Sequence, residues 1–575
     1  MAVINTSYVT QDKIYEEGVS EIAPSLKLDI DDDELVKTID ILIESAEGKK
    51  NEVMKLGAKN EKYWKAIQLD PLKTEDWRSQ IVDNRIFLSM ETIIPIMTAR
   101  TPEVTVRLKD NELREKVKQM CMNLWEVPND DDADCAMQAN VEMMSRHWMV
   151  YHAGVMKYFY DPEIDDVRTV YVHPDKIILD HTADNIYNSR FIAELCEDTL
   201  DGLKKRFPAK AKEIQKKFIG TTNSGLSKVT FVEFWTPEYV CYKMQNIILE
   251  KKKNPNFDYG DMNTEGVDFN LFKKPRVPYL ILNVFNLGKY IYDDTTLIEQ
   301  AMTLQDGVNK RKNQINDNAS DNGVLAGSGD SIDRKVLEAY TGAPNEKLWI
   351  REGNVKEALH RLDPKQLPAF VFQDLLDSKG EIDNIFGAHS TTRGERAEPK
   401  TLGEAQLLKQ GDMGRIDLFT RALDRLAQEW YTAMLHMYLV FKTEPVEIES
   451  DDENNVPIIF DRREFINQET GKLMKIRIKV KAGSAMSIDK DSRRAEAVQL
   501  AQANLIDPIT FFERMDYANP QEMALKLLMW QTNPISLFPE MSEQQQAQEQ
   551  TQAQQQQETA TNTPFPEGTP INIPT

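Results

Sequence analysis

The longest regular pattern in the sequence is a helical one in the second half of the chain. Between Gly403 and Phe441, apolar residues recur at alternating spacings of three and four, at Ile416, Phe419, Leu423, Leu426, Trp430, Ala433 and Met437. This spacing predicts a helix that packs along its length against other elements. Gly411 and Gly414 each cost about 1 kcal/mol relative to alanine inside a helix, so we expect a kink in its first half.

Two shorter helices upstream predict an αα-hairpin. The first begins at Thr296-Leu-Ile-Glu299, which fits a capping box, and has a narrow apolar stripe on a mostly polar surface. The second covers Pro368–Phe386 and ends at Gly387, a residue type typical of helix C-termini. Residues 320–365 would form a small domain at the tip of the hairpin. A helix with one narrow apolar stripe cannot bury itself in a monomer, but it can pack against neighbours in a ring.

The region from Gly154 to Phe285 is rich in β-branched and aromatic residues and predicts strands. Val229–Trp235 and Tyr239–Met244 predict a hairpin around Thr236-Pro-Glu238. Elsewhere, Val104–Leu108 alternates like a short strand, and Ile458–Phe460 and Met474–Val480 predict an antiparallel pair. Further helices are expected at Ser492–Leu505 and Pro520–Trp530, joined by Asp507-Pro508. The fold class is therefore α+β, mainly helical.

The composition is that of a globular protein with a strong acidic excess. The 575 residues include 93 acidic and 70 basic side chains, a formal net charge of −23. The length allows three or four domains. The charge excludes a protein that coats nucleic acid through an overall basic surface.

Other features indicate a protein made in a reducing compartment. The four cysteines do not form a CxxC pair. The N-terminus predicts no signal peptide, and the longest apolar stretch is too short to span a bilayer. We therefore expect an intracellular soluble protein. The glutamine-rich segment 544–557 predicts disorder at the end of the chain.

The sequence lacks the motifs of several enzyme classes. It contains no GxxxxGK[ST] loop, no HExxH and no GxSxG, which argues against an ATP-driven motor and favours a protein without catalysis. His173 and His181 lie near Asp175, Asp180 and Asp184 and are either metal ligands or, more simply, turn formers. The acidic run 130–134 resembles half a calcium loop, but Cys135 stands where glycine is needed, so we interpret the run as a helix cap. No metal and no cofactor are predicted.

Basic residues stand out in three places. The first is Lys310, Arg311 and Lys312, near the end of the first hairpin helix. The second is the charged segment after Gly387, with Arg393, Arg396 and Lys400. The third is the late strand, where Lys475, Arg477, Lys479 and Lys481 alternate with apolar residues. Each is either a solvated face or a contact with a polyanion.

Five fragments, taken in order, resemble the portal proteins of tailed double-stranded DNA bacteriophages. They are Asn84-Arg-Ile-Phe87 through the turn at Pro102, His173-Pro-Asp-Lys-Ile-Ile-Leu-Asp180, Pro278-Tyr through Gly288, Leu304-Gln-Asp-Gly-Val-Asn-Lys-Arg311, and Gly380-Glu-Ile-Asp-Asn-Ile-Phe-Gly387 leading to Arg393-Gly-Glu395. The resemblance covers roughly residues 60–530 and includes the hairpin with its insert and the long helix.

The resemblance implies a subunit of a dodecameric ring with a wing, stem, clip and crown. Mapped onto this chain, the parts are an N-terminal arm (1–55), the α+β wing (56–290), stem helix 1 (291–318), the clip (319–366), stem helix 2 (367–387), a tunnel loop (388–402), a long kinked wing helix (403–442), wing strands (443–482), a helical crown (483–535) and a disordered glutamine-rich tail (536–575).

The resemblance also implies a function. The ring would sit at a unique capsid vertex of the virion, after synthesis in the host bacterial cytoplasm, and double-stranded DNA would pass through it during packaging and ejection. The implied partners are other copies of the chain, the terminase packaging motor, head–tail adaptor and tail proteins at the clip, and major capsid and scaffolding proteins at the wing, with no membrane. Arg393, Arg396 and Lys400 would face DNA from the tunnel loop, and Lys310, Arg311 and Lys312 are further candidates on the stem.

Two alternatives stay open from the sequence. One is a different adaptor or tail ring of a virion. The other is a metal-dependent nuclease that uses the Asp and His residues of 173–184. The acidic charge suits a DNA conduit, because each phosphate neutralised by a fixed cation adds affinity and slows sliding.

Overall fold

The fold is given by a computed structural model of the chain. It divides into two compact units, residues 1–486 and 487–575. The residues that the structure describes are 30–70, 78–99, 101–126, 137–217, 228–260, 266–320, 324–327, 332–340, 349–351, 354, 359–362, 366–389, 393, 402–448, 458–481, 494, 497–503, 505–515, 517 and 520–532.

The first unit combines long helices with short sheets. Its helices are α1 (Asp32–Trp64), α2 (Arg85–Thr98), α3 (Asn111–Glu126), α4 (Met137–Tyr151), α5 (Leu200–Arg206), α6 (Ala211–Lys217), α7 (Leu297–Ser320), α8 (Arg334–Ala339), α9 (Ala369–Phe386) and α10 (Leu402–Phe441). Its strands are β1 (Val104–Arg107), β2 (Gly154–Asp161), β3 (Asp166–Val172), β4 (Ile177–Leu179), β5 (Ile192–Thr199), β6 (Lys228–Trp235), β7 (Tyr239–Met244), β8 (Ile247–Lys253), β9 (Tyr279–Leu282), β10 (Val324–Gly327), β11 (Leu359–Leu362), β12 (Val446–Ile448), β13 (Ile458–Phe460), β14 (Ile466–Asn467), β15 (Lys472–Leu473) and β16 (Arg477–Val480). This bears out the mainly helical α+β prediction.

A five-stranded antiparallel sheet, in the order β4-β5-β6-β7-β8, forms the centre of the β-rich region. The predicted hairpin is confirmed: β6 and β7 pair with Trp235 opposite Val240, and Thr236 closes the turn through its hydrogen bonds with Tyr239. A second sheet has the order β3-β2-β9.

The five-stranded sheet buries both of its faces. Phe231 and Trp235 of β6 belong to one apolar cluster, whereas the intervening Phe234 belongs to the other. This follows from the two-residue period of a strand. The second cluster is completed by the apolar side of α1, whose contributing residues are Leu35, Val36, Ile39, Leu42 and Ala46.

Helix α1 crosses one predicted domain boundary. The sequence places a loosely patterned arm at 1–55 and the wing from 56, yet α1 runs without a break from Asp32 to Trp64. Its first half packs on the sheet, so the boundary falls inside a helix. The physical reason is that the helical spacing of buried residues continues past this point, with Val53 before it and Gly57 after it. Residues 1–29 of the predicted arm lie outside the described residues.

The predicted helical hairpin is present as α7 and α9, which pack against each other. Helix α9 ends at Gly387, whose φ of 71° is a conformation that glycine adopts without steric cost. Within the insert between the two helices, β10 pairs antiparallel with β11. Helix α7 extends to Ser320, beyond the predicted end of the stem at 318.

The long helix α10 covers forty residues, and every apolar position named above from Ile416 to Met437 is buried. The kink at Gly411 and Gly414 stays a prediction.

The predicted pairing of Ile458–Phe460 with Met474–Val480 is wrong. Strand β13 pairs with β12, and β16 pairs with β1, which lies more than 370 residues earlier in the chain. Alternation within a strand defines its buried face but not its partner, so the sequence pattern could not distinguish these pairings.

The second unit is described for its helical segments. A helical stretch covers 497–502, followed by α11 (Pro508–Arg514) and α12 (Pro520–Thr532). Helix α11 was interpreted from the sequence as a link. The sequence signal for the start of α11 is Asp507-Pro508. Asp507 caps the helix by accepting from the Thr510 N–H at 3.0 Å, and Pro508 occupies the first turn.

Candidate functional site: the helical hairpin and its base

Helix α7 is held to the rest of the first unit by a ladder of side-chain hydrogen bonds. The backbone N–H groups of alternate residues in the extended segment 79–85 donate to α7 side chains four residues apart. The pairs are Ser79 with Asp317 (2.7 Å), Ile81 with Asn313 (2.7 Å), Asp83 with Asn309 (3.0 Å) and Arg85 with Gln305 (3.0 Å). Two residues of extended chain span about 6.7 Å and four residues of helix span about 6 Å, so the two repeats match.

This ladder explains why α7 is polar. Gln305 and Asn309 are buried although they are amides. The narrow apolar stripe of α7 predicts packing against neighbouring subunits, but part of the polar surface of α7 is used inside the subunit. The sequence signal that could have predicted this ladder is the four-residue spacing of Gln305, Asn309, Asn313 and Asp317 on α7.

Asp83 gathers three cations beside the ladder. Lys379 of α9 donates to its carboxylate at 2.7 Å, and Lys312 and Arg85 lie 3.4 Å from it. Burial alone would raise the pKa of Asp83, but the hydrogen bond and charge of Lys379, aided by Arg85 and Lys312, hold that pKa below its ordinary value. Asp83 therefore links both hairpin helices to the segment before α2.

The three predicted stem cations have different environments. Arg311 donates to Asp374 of α9 at 2.6 Å and so joins the two helices. Lys312 contributes to the Asp83 cluster. Lys310 is exposed and makes no ion pair within the described part of the chain. Of these three side chains, Lys310 is thus the one left available to an external anion.

Arg393, from the predicted tunnel loop, points into the protein. Its guanidinium donates to both carboxylate oxygens of Asp383 at 2.7 and 2.9 Å and also to the Ala388 carbonyl. The Arg393 side chain is only 6% exposed. A bidentate arrangement of this kind is strong and directional. Arg396 and Lys400 lie outside the described residues.

Helix α9 exposes two kinds of side chain. Asp374, Asp377 and Glu381 are exposed at spacings of three and four, which align them along one side of the helix. Phe370, Phe372 and Leu376 are also exposed, by 64%, 48% and 63%. At 100° per residue, Phe372 and Leu376 lie on a different side from the three acids.

The start of α7 is fixed by a polar cluster. Thr296 accepts from the Glu299 N–H at 3.2 Å, as the capping box predicts. The Glu299 carboxylate, however, accepts from Asn60 at 3.0 Å and lies 2.8 Å from the His152 ring. Burial opposes ionisation of Glu299, but these two partners keep its pKa below the ordinary value. This contact joins residues far apart in the chain, so no local sequence pattern predicts it.

The possible metal ligands of 173–184 are engaged by the protein. His173 accepts from the Asp175 N–H at 3.2 Å, the turn-forming role. Asp180 binds the Arg190 guanidinium at 2.7 Å and the Thr182 hydroxyl at 2.7 Å. The acidic run 130–134 lies outside the described residues.

Another set of side chains has the spacing of a metal site. Among the described residues, Glu194, Cys196 and Glu233 bring their ligand atoms together. The Lys157 ammonium already lies 2.8 Å from both carboxylates, so this site holds a cation of the protein itself and does not fit a metal ion. Among the described helices, none is long and apolar enough to cross a membrane.

Comparisons with known proteins identify the family to which the chain belongs. No curated protein matches the sequence. Among solved structures, a chain from the neck of an empty GTA particle, computed with C6 symmetry, is 9% identical, with a TM-score of 0.35 over 74% of this chain and 90% of that chain. The family model of phage P22-like portal proteins matches residues 273–563, just over half of the sequence, including the hairpin, the loop after it and α10. The chain belongs to the P22-like portal protein family.

Proposed function

We propose that copies of this chain form a ring at a capsid vertex and that double-stranded DNA passes through the ring during packaging and ejection. Family membership supports a portal role. The observation that carries the proposal further is the surface of α9, which exposes apolar side chains on one side and carboxylates on another.

The apolar side of α9 fits a contact between subunits. Phe372 and Leu376, on the side of α9 away from the three acids, are 48% and 63% exposed although α9 packs against α7 within the subunit. Exposed apolar patches of this kind mark interaction surfaces. Head-to-tail repetition of such a contact closes a ring, in which every copy covers the patch of the next.

The acidic side of α9 fits a channel wall. Asp377 and Glu381 form no ion pair with any described residue, and the neighbouring cations Arg311, Lys312 and Lys379 are already bound to carboxylates. A wall of this charge repels phosphates and lets a duplex slide, since retention grows with every phosphate that a cation neutralises.

The loop 388–402 is the proposed contact with DNA. Because Arg393 is bound to Asp383, we assign it as the anchor of the loop and keep Arg396, Lys400 and, on the stem, Lys310 as the proposed DNA contacts. Cations at only a few positions would centre the duplex without holding it.

The remaining parts follow the same proposal. The hairpin α7–α9 is the stem, the insert 319–366 the clip, the sheets with α10 the wing, and the helices of the second unit the crown. The clip would contact the terminase motor and the adaptor and tail proteins, and the wing the capsid and scaffolding proteins. The proposed location is the capsid vertex of the virion.

The test is the assembly state of the purified full chain. Electron microscopy and native mass spectrometry should show closed rings with a central hole wide enough for a DNA duplex. The double variant Phe372→Asp/Leu376→Asp should lose the rings and keep its far-UV circular dichroism, because it buries two charges at the contact. Leu287→Asp, at a residue 87% exposed elsewhere, is the matched control and should keep them.

Either of two results would contradict this proposal. One is a wild-type chain that stays monomeric or dimeric under all conditions. The other is a ring population that the α9 variant leaves unchanged.

A further inference from the structure

The two-stranded ribbon of β1 and β16 concentrates positive charge in a strongly acidic protein. Lys475, Arg477 and Lys479 are exposed on one face of the late strand, and Arg107 of β1 lies directly opposite Arg477. None of these four side chains makes an ion pair within the described part of the chain. Like charges directly opposite each other destabilise a strand pair, so the ribbon gains stability from an external anion.

The ribbon also has a backbone edge that is open among the described residues. The Lys481 N–H donates to the Glu103 carbonyl at 3.0 Å, which makes this pair a hydrogen-bonded one. In an antiparallel ladder the hydrogen-bonded pairs alternate with pairs whose N–H and C=O groups point outward. The register therefore directs the backbone groups of Ile478 and Val480 away from β1. An edge of this kind is a template for another strand.

A cavity of about 510 Å³ lies along this edge. Four consecutive residues, 476–479, line it. Neighbouring side chains of a strand point to opposite faces, so four consecutive residues cannot all line the cavity with side chains on one face. They can line it together only along the backbone edge of the strand. The edge therefore opens into a space that can accept an extended chain.

The opposite wall of the cavity adds a third cation. The Arg276 guanidinium lies 4.0 Å from the centre of the Phe272 ring and 4.9 Å from that of Tyr187. The carboxylate of the cavity, Glu429, is hydrogen-bonded to Tyr187. The cavity thus offers Arg276, Arg477 and Lys479 to an anionic ligand. Its concave shape suits a polypeptide segment and does not admit a DNA duplex.

The chain itself contains a segment with the complementary pattern. Glu447, Glu449, Asp451 and Glu453 alternate in sequence as Lys475, Arg477, Lys479 and Lys481 do. In extended chains both sets repeat about every 6.7 Å, so carboxylates of one strand can face cations of the other, with Lys481 already 3.2 Å from the Glu103 carboxylate. Glu447 is exposed on β12, one edge of which pairs with β13, and the other three acids lie outside the described residues.

We propose that the ribbon and its cavity bind the acidic segment 447–453 of a second copy of the chain as an added strand. This deepens the proposed function, on which it rests, by naming a contact between neighbours in the ring. Each copy donates its acidic segment to one neighbour and binds the segment of the other neighbour on its own ribbon. The contact is therefore head-to-tail, and in a closed ring every ribbon is occupied.

Charge reversal tests the contact. The triple variant Lys475→Glu/Arg477→Glu/Lys479→Glu should lower the fraction of chains in rings by at least about tenfold, because like charges then face each other across the contact. Glu447→Lys/Glu449→Lys/Asp451→Lys should do the same, and mixing the two variants should restore mixed assemblies. The control Lys212→Glu/Lys216→Glu/Lys217→Glu makes the same change of charge on an exposed helix and should keep the rings.

Cysteine crosslinking identifies the donor of the segment. A protein with Lys479→Cys and another with Asp451→Cys are mixed and oxidised, and a disulfide-linked dimer of the two is expected. The resident Cys121 and Cys241 are buried, which raises the pKa of each thiol to about 12 and suppresses their reaction, and each variant oxidised alone controls for them.

Three outcomes would overturn the inference. The disulfide could form only when both cysteines are on one chain, which would assign the segment to the same copy. The ribbon variant could keep its rings but lose binding of double-stranded DNA in a mobility-shift assay, which would make DNA the ligand. The ribbon variant could also keep both its rings and its binding of double-stranded DNA, which would leave the ribbon without a role in either. Failure of the proposed function is distinct, since the wild-type chain itself would then form no ring.

Discussion

At the scale of single residues, Asp383 and Arg393 fix the end of the helical hairpin. Arg393 lies six residues beyond the glycine that ends α9, and its guanidinium returns to the last turn of that helix. The pair is almost completely buried. Removing one member of such a pair lowers the stability of the fold strongly, because the remaining member is then a buried charge without a counterion.

Replacing Arg393 by alanine should therefore destabilise the subunit by about 3–5 kcal/mol. Asp383→Asn/Arg393→Ala should be less destabilised than the single variant, since no charge is then left buried. Urea unfolding measures both. Arg421→Ala is the control: it removes an exposed pair with Asp417 and should cost less than about 1 kcal/mol. Equal losses for Arg393 and Arg421 would refute the buried role.

At the scale of elements, Lys157 joins the two central sheets. It projects from β2 of the three-stranded sheet to Glu194 of β5 and Glu233 of β6 in the five-stranded sheet, 2.8 Å from each. Burial opposes the charged form of Lys157, but the two carboxylates outweigh it and raise the pKa of the lysine. The Trp235 indole and Tyr279 hydroxyl complete the cluster by donating to the same carboxylates.

We expect Lys157→Met to lower the free energy of unfolding by about 3–5 kcal/mol, because it leaves two buried carboxylates without a cation. Chemical denaturation of the variant and wild type measures the loss. Lys228→Met removes an exposed lysine at the start of β6 that lies 3.7 Å from Glu197 of β5 and should change stability by less than about 1 kcal/mol. A small effect at Lys157 would mean that the sheets are held together without this cluster.

Elements also differ in how well the sequence predicts them. The hairpin helices and α10 were predicted because helical periodicity is a local signal, repeated within each element. The pairing of β16 with β1 was not predicted, since it closes a loop of about 370 residues and nothing in a four-residue strand specifies its partner. The hydrogen-bond ladder between 79–85 and α7 was not predicted for a related reason. Amide side chains on a helix are typical of a solvent-exposed surface, and the sequence does not show which segment they bind.

At the scale of the whole molecule, resistance to acid depends on buried neutral histidines. His436 accepts from the Leu271 N–H through Nδ1 at 3.2 Å and donates through Nε2 to the Asn256 carbonyl at 2.7 Å, which requires the neutral ring. Burial lowers the pKa of His436 to about 4, and that of His147 likewise to about 4. Both histidines must take up a proton once the chain unfolds in acid.

The sign of the effect follows from linkage. The unfolded chain protonates His436 near its ordinary pKa of about 6.5, whereas the folded chain does so only near pH 4. Its contribution to stability is therefore full above pH 6.5 and declines as the pH falls to 4. Relative to His436→Gln, wild type should lose about 3 kcal/mol over this range.

Denaturation curves at several pH values measure the difference. His360→Gln replaces an exposed histidine and should follow the wild-type curve. A wild-type curve parallel to that of His436→Gln would contradict the assignment of a buried neutral ring.

The sequence by itself determined the local architecture: the hairpin ended by Gly387, the buried side of α10, the β6–β7 turn and the acidic balance that suits a DNA conduit. The tertiary structure decided which charges are available. It paired Arg393 with Asp383, placed Lys312 beside Asp83 and left the cations of β16 without a partner in the described chain. Local periodicity fixes which side of an element is apolar, but a charge becomes bound or free only when residues distant in sequence meet.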